Sequence, residues 1–235
     1  MTAPFYTRNG VELYNGDCRE ILPLLPRAAA HLLITDPPYG TSYRNKLRGD
    51  YLDLMDNDAG DLDIVSALSA ALRILRNFRH VYCFGLRDFE GLPIGPSAEL
   101  IWDKGPGTGP LGSTWAPAHE IILFGVYLSS GAHRERGSGK LTARMRQGSV
   151  IRCSRVMSRT HPTQKPVKLL RQLIESSSNI GEVVLDPFAG SGSTLKAAAL
   201  EGRRAIGIET NIDMCKRTAR QLDGIFNILE QLKVK

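Results

Sequence analysis

The chain has 235 residues, with 30 Lys+Arg against 24 Asp+Glu, a formal charge of +6. An apolar content of 42% and a charged content of 23% exclude wholesale disorder, and this length buries a full core without disulfide staples. Four scattered cysteines (Cys18, Cys83, Cys153, Cys215), with no C-x-x-C pair and no histidine at ligand spacing, argue against a disulfide framework or a metal site.

The start, FYTRNGVELY, predicts a β-hairpin, because Asn9-Gly10 supplies the positive-φ pair of a two-residue I′ turn. Residues 17–26 (DCREILPLLP) predict a short helix ended by prolines. AHLLIT (30–35) is a continuous apolar run closed by Pro37-Pro38, as expected of a buried parallel strand. Residues 41–63 are polar, hold six aspartates, and predict a mobile acidic loop. Over 61–77, Leu62, Val65, Leu68, Leu72 and Leu75 recur at helical spacing, with Asp61 as N-cap. HVYCFG (80–85) reads as a strand, and AELIWDKG with HEIILFGVY as an antiparallel pair.

Further on, VKLLRQLIESS (167–177) predicts a helix and EVVLDPF (182–188) a strand entering a Gly/Ser turn. A helix over 193–202, a strand over 204–209, and a helix over 211–232 broken near Gly224 complete the chain. Strands alternating with helices give an α/β fold with a mostly parallel sheet and an antiparallel hairpin, in a single domain over 1–235. The start MTAPFYTRNG lacks a signal-peptide pattern, and no apolar run approaches the roughly 20 residues needed to span a membrane. A soluble cytoplasmic protein is expected.

The positive charge is local. Residues 126–159 hold Arg134, Arg136, Lys140, Arg144, Arg146, Arg152, Arg155 and Arg159 against one acid, Glu135, so this segment carries +7 and the remainder −1. Local basicity points towards a polyanionic partner. The plainer alternative is a solvated loop.

Two motifs carry chemistry. The first is a strand, DPFAGSGST, a helix, a strand and Glu209. Gly190 and Gly192 permit a tight turn and close ligand approach, the helix start offers unpaired N–H groups, and Glu209 is placed to grip ribose hydroxyls. A structural βα turn with a surface acid remains the alternative. The P-loop lysine is missing, and Leu195 stands where the dinucleotide fingerprint wants Gly or Ala. The second motif, Asp36-Pro37-Pro38-Tyr39, follows a buried strand at its carboxyl end. Its two prolines hold the chain extended with carbonyls outward, so Asp36 and such a carbonyl can receive both hydrogens of an amino group. Tyr39 can stack on a flat base. Asp-Pro is also ordinary turn punctuation.

Taken in order, these motifs resemble the beta class of DNA amino-methyltransferases that use S-adenosylmethionine (SAM). Asp36–Tyr39 comes first, then the basic segment, HPTQKP (161–166) and Phe188-Ala189-Gly190-Ser191-Gly192, with YNGDC (14–18) ahead of them all. The resemblance covers nearly the whole chain. It implies a Rossmann-like, circularly permuted methyltransferase fold, with VELYNGD (11–17) adding a strand beside 204–209.

The resemblance also implies roles. Phe188 packs near the cofactor adenine and Asp17 recognises it, while Glu209 holds the ribose. Gly190, Ser191 and Gly192 line the methionine portion above Asp186, and Thr163 and Lys165 meet its carboxylate. Tyr39 stacks on a flipped base, while Asp36 and the Pro37 carbonyl accept from its exocyclic amine. Residues 126–160 form a short target-recognition insert in which Arg134, Arg136, Lys140, Arg144, Arg146, Arg152 and Arg155 contact DNA, chiefly through phosphates.

An aspartate opening the tetrapeptide favours N6-adenine over N4-cytosine in this family. A non-catalytic nucleic-acid-binding relative is the competing class, and an RNA substrate and a homodimer stay open. A nucleotide-dependent oxidoreductase leaves DPPY and HPTQKP without a purpose.

Overall fold

Asn9 and Gly10 both adopt positive φ (49° and 79°), which closes a tight hairpin between β1 (Tyr6–Arg8) and β2 (Val11–Asn15). The computed structural model describes residues 3–38, 63–105, 118–128, 148–156 and 164–233. The remaining elements are α1 (Cys18–Ile21), β3 (Ala30–Thr35), α2 (Ile64–Ile74), β4 (Leu75–Phe84), β5 (Ile94–Asp103) and β6 (His119–Tyr127). They continue with β7 (Val150–Arg152), α3 (Val167–Ser177), β8 (Val183–Asp186), α4 (Ser193–Leu200), β9 (Arg204–Glu209) and α5 (Ile212–Lys233).

One nine-stranded sheet carries the order β1-β2-β9-β8-β3-β4-β6-β5-β7. Its centre, β2-β9-β8-β3-β4, is parallel throughout, whereas β1 and β6 run the other way. Alternation along each strand feeds two cores. Leu32, Ile34, Val184 and Leu13 face α3, α4 and α5, while Leu33, Leu185, Ile206 and Ile208 face α1 and α2. This is a helix–sheet–helix sandwich, the mostly parallel α/β arrangement that the alternating pattern predicts.

The expected join of the two chain ends is present. β2 lies parallel to β9 with Val11 opposite Ala205 and Asn15 opposite Glu209. Arg8 then clasps α5, reaching Asp223 at 3.0 Å and Glu230 at 3.0 Å, while the Tyr6 hydroxyl donates to Asp223 at 2.9 Å.

Several boundaries differ from expectation. The N-cap of α2 is Asp63, whose carboxylate accepts from Ser66 N–H, so that helix begins at Ile64; Asp61 lies outside the described residues. The strand expected over 80–85 starts earlier. Leu75 pairs with Ala30 and His80 with Leu32, so residues 76–79 bulge from the ladder with Phe78 at φ 62°. The polar run Arg76-Asn77 hides this from a hydropathy pattern. Helix α5 continues through Gly224. A helical glycine costs about 1 kcal/mol; here Leu222 and Phe226 are buried on either side and Arg8 grips the same stretch. β7, inside the basic segment, shows no periodicity because three residues are too few to display one; it adds to β5 at the sheet edge. No helix among the described residues is long and apolar enough to cross a membrane.

Candidate active site at the carboxyl edge of the sheet

Parallel strands bring their carboxyl ends to one edge, and four neighbours there end in residues singled out from the sequence. In sheet order these are Asp17 after β2, Glu209 at the end of β9, Asp186 and Phe188 at the end of β8, and Asp36 after β3. The chain leaves β8 for β9 on one side and β3 for β4 on the other. The gap between β8 and β3 is therefore the topological switch point, where open α/β sheets bind ligands.

The turn after β8 is fastened to the end of β9. Glu209 accepts from Gly190 N–H at 2.8 Å through one oxygen and from Asn211 N–H at 2.8 Å through the other, and Ala189 N–H donates to the Ile208 carbonyl at 2.8 Å. Burial raises the Glu209 pKa, a push that these backbone donors partly oppose. Asp186 is buried, accepts from Phe188 N–H at 3.1 Å, and is pushed up to about 7, by burial first, with the Asp36 and Glu209 charges adding to it. Phe188 is half-buried against the face packed by α1 and α2.

The two glycines do different work. A Cβ at Gly190 would meet only the Phe188 carbonyl oxygen, at 3.9 Å, so its absence leaves open space. A Cβ at Gly192 would collide with Thr218 Cγ2 and lie 2.9 Å from Thr218 Oγ1, so Gly192 admits α5 to the start of α4. Ser191 Oγ lies 3.1 Å from Ser193 Oγ.

Asp17 is the N-cap of α1. Its carboxylate accepts from Arg19 N–H at 2.8 Å and pairs with the Arg19 guanidinium at 2.6 Å, which holds its pKa below the ordinary value. Lys165 reaches Asp36 Oδ2 at 2.6 Å and Glu120 Oε1 at 3.0 Å, and lies 5.0 Å from the Phe84 ring centroid. Lys104 meets the other Glu120 oxygen at 2.7 Å.

Glu120 and Lys104 had not been singled out from the sequence. The available signal was a charged residue opening the apolar strand HEIILFG. Arg152 is largely exposed beside Asp103 at 3.4 Å, and Arg155 is half-buried. Tyr39, Thr163, Arg134, Arg136, Lys140, Arg144, Arg146 and most of the acidic loop 41–63 lie outside the described residues. Among the described residues no group of His, Cys, Asp and Glu could hold a metal ion.

A doubly wound sheet with acids on adjacent strand ends and a glycine turn between them is the arrangement in which α/β enzymes bind nucleotide-type ligands at a switch point. Comparison narrows the class. Residues 109–220 match the family model for DNA methylases of the N6/N4 type. YubD of Escherichia coli (strain K12), a candidate methylase, is 30% identical over 203 residues, covering 83% of this chain and 82% of that protein. The Type II methyltransferase M2.DpnII of Streptococcus pneumoniae is 26% identical over 254 residues, 95% of this chain and 94% of that protein. A stretch of 77 residues, 32% of this chain and 26% of the other, is 54% identical to the DNA adenine methyltransferase YhdJ of Escherichia coli (strain K12).

Two solved structures share the fold. The M1.HpyAVI–SAM complex has a TM-score of 0.67 at 18% identity, covering 90% of this chain and 98% of that one. The cytosine-N4-specific PvuII DNA methyltransferase has a TM-score of 0.66 at 18% identity, covering 93% and 88%. The chain belongs to the N6/N4 DNA methylase family, as the order of its motifs implied.

Proposed function

We propose that the protein transfers a methyl group from S-adenosylmethionine to the exocyclic N6 amine of adenine in duplex DNA, with the base flipped out of the helix. The observation that carries this reading is that Asp36, directly after β3, and the Asp186–Gly190 turn, at the end of β8, leave neighbouring parallel strands at the same edge. A carboxylate suited to an amine and a turn suited to a nucleoside then share one crevice. The aspartate that opens the tetrapeptide and the adenine-specific relative YhdJ favour adenine.

The residues present fit this donor. The open space at Gly190 is a cradle that a Cβ would fill. The Asp36 and Glu209 charges both bear on Asp186 between them, and an acidic crevice complements a sulfonium and an ammonium group. Glu209 would hold the ribose hydroxyls, with Phe188 against the adenine and Ser191 along the methionine portion. Asp17 would reach the cofactor's adenine only by sharing its carboxylate with Arg19. Thr163 would meet the methionine carboxylate. Lys165 would have to leave Asp36 or Glu120 to join it.

When bound, S-adenosylmethionine supplies a methyl group made electrophilic by its sulfonium. Asp36 and the Pro37 carbonyl accept the two hydrogens of the target amine, which aims the nitrogen lone pair and gives the surplus proton an exit. Tyr39 stacks on the extruded base, an extrusion that costs a few kcal/mol. The basic residues of 126–160 grip phosphates and supply affinity more than specificity. Most of the rate acceleration comes from holding two substrates in line.

The test supplies S-adenosylmethionine with duplex DNA, single-stranded DNA or RNA and identifies the methylated nucleosides by mass spectrometry. N6-methyladenine from duplex DNA is the expected result. N4-methylcytosine or methylated RNA would overturn the stated substrate, and no methylation at all would overturn the reaction.

A further inference from the structure

We propose that Gln164 is a positioning residue for the cofactor: its amide donates to Ser193 Oγ, which turns the Ser193 hydroxyl onto Ser191 and the Ser191 hydroxyl outward, as a donor to the methionine carboxylate of S-adenosylmethionine. This inference rests on the function proposed above and deepens it.

Three side chains from two segments form a row. Gln164 Nε2 donates to Ser193 Oγ at 3.2 Å, and Ser193 Oγ lies 3.1 Å from Ser191 Oγ. A hydroxyl carries one hydrogen and two lone pairs. Once Ser193 Oγ accepts from the amide, its own hydrogen goes to Ser191 Oγ, and the Ser191 hydrogen is left to point onward. Among the described residues Ser191 makes no other side-chain hydrogen bond. It is half-buried and directly follows Gly190, where the missing Cβ leaves open space. A hydroxyl donor beside that cradle meets an anionic group through a charge-assisted bond, roughly twice as strong as a neutral one.

The amide is held where the row needs it. Lys165, next in sequence, is anchored to Asp36 at 2.6 Å and to Glu120 at 3.0 Å, and Pro166 is buried as the N-cap of α3. Helix α3 packs beside α4, with Leu169, Leu173, Leu195 and Ala198 in one core. The segment 164–166 therefore touches both halves of the crevice, Gln164 at the cofactor turn and Lys165 at Asp36. Ser193 is buried, so its two neighbours set the direction of its hydrogen. The N-cap of α4 is Gly192, which has no side chain to give, so the row does not serve as a helix cap.

A carboxylate only accepts hydrogen bonds. In Gln164→Glu the row therefore reverses: the Ser193 hydrogen turns back to the carboxylate, the Ser191 hydrogen turns to Ser193, and lone pairs face the ligand.

Calorimetric titration without DNA measures Kd for S-adenosylmethionine and for decarboxylated S-adenosylmethionine, which lacks only the carboxylate. Wild type should bind the decarboxylated form about tenfold more weakly. Gln164→Glu should weaken S-adenosylmethionine binding about 10- to 100-fold and Gln164→Ala about 2- to 5-fold. Both variants should bind the decarboxylated form within about twofold of wild type, which also shows that they fold. In a Ser191→Ala background, Gln164→Glu should weaken S-adenosylmethionine binding by less than about threefold. Equal losses for Gln164→Glu and Gln164→Ala, equal losses for the two ligands, or an undiminished Gln164→Glu effect in the Ser191→Ala background overturns the positioning role alone. A wild type that binds neither ligand overturns the proposed donor, and this role with it.

Discussion

Gly190 and Gly192 both sit in the left-handed region, at φ 49° and 70°, so alanine at either costs about 1–2 kcal/mol of backbone strain. Only at Gly192 does a methyl group also overpack, because Thr218 stands in its place with Oγ1 at 2.9 Å and Cβ at 3.1 Å. Overpacking adds about 1–3 kcal/mol, so Gly192→Ala should cost about 2–5 kcal/mol and Gly190→Ala only the strain. Thr218→Ala removes Cγ2 and Oγ1, the first two obstacles. The double variant Gly192→Ala/Thr218→Ala should then show a favourable coupling of about 1–3 kcal/mol. Urea unfolding followed by circular dichroism measures all four stabilities. Calorimetric titration should show the opposite order for S-adenosylmethionine affinity, with Gly190→Ala the weaker binder because its methyl fills the cradle. Additive stabilities within about 0.5 kcal/mol, or equal losses at the two glycines, would refute the packing argument.

Asp36→Ala should lower turnover about 100-fold or more while the Kd for S-adenosylmethionine stays within about twofold, measured by single-turnover methylation and direct binding. Folded Asp186 keeps its proton up to about pH 7, whereas the unfolded chain releases it near 3.8. Folding therefore takes up a proton in that window, so stability contributed by this group is full below it and lost as pH rises towards 7. Urea midpoints across the window should fall with pH in wild type and lose that component in Asp186→Asn. Replacing Arg144 and Arg146 with glutamine should weaken DNA binding across sequences and reduce the salt slope by about two, read from fluorescence anisotropy at several salt concentrations.

Local chemistry wrote the central elements plainly. Asn9-Gly10 specified its hairpin because few other residue pairs tolerate two positive φ values, and AHLLIT specified a doubly buried strand because both of its faces are apolar. The order of Asp36–Tyr39, HPTQKP and the Phe188–Gly192 turn specified the family, and the join of β2 to β9 followed from it. Where local signals were weak or contradictory, expectation and structure part. β7 is too short for a period, residues 75–77 fall in the stretch whose spacing reads as helix, and Gly224 looks like a break that distant contacts from Arg8 override.

The site divides along the same line. Residue type and spacing along the chain determined which side chains could serve a nucleoside and an amine, since those properties belong to single segments. Only the tertiary structure decided that Gly192 answers to Thr218 and that Lys165 stands between Asp36 and Glu120. Those contacts join residues apart in sequence: the first exists only once α5 packs on the start of α4, and the second only once the sheet order has set β3 and β6 on either side of β4.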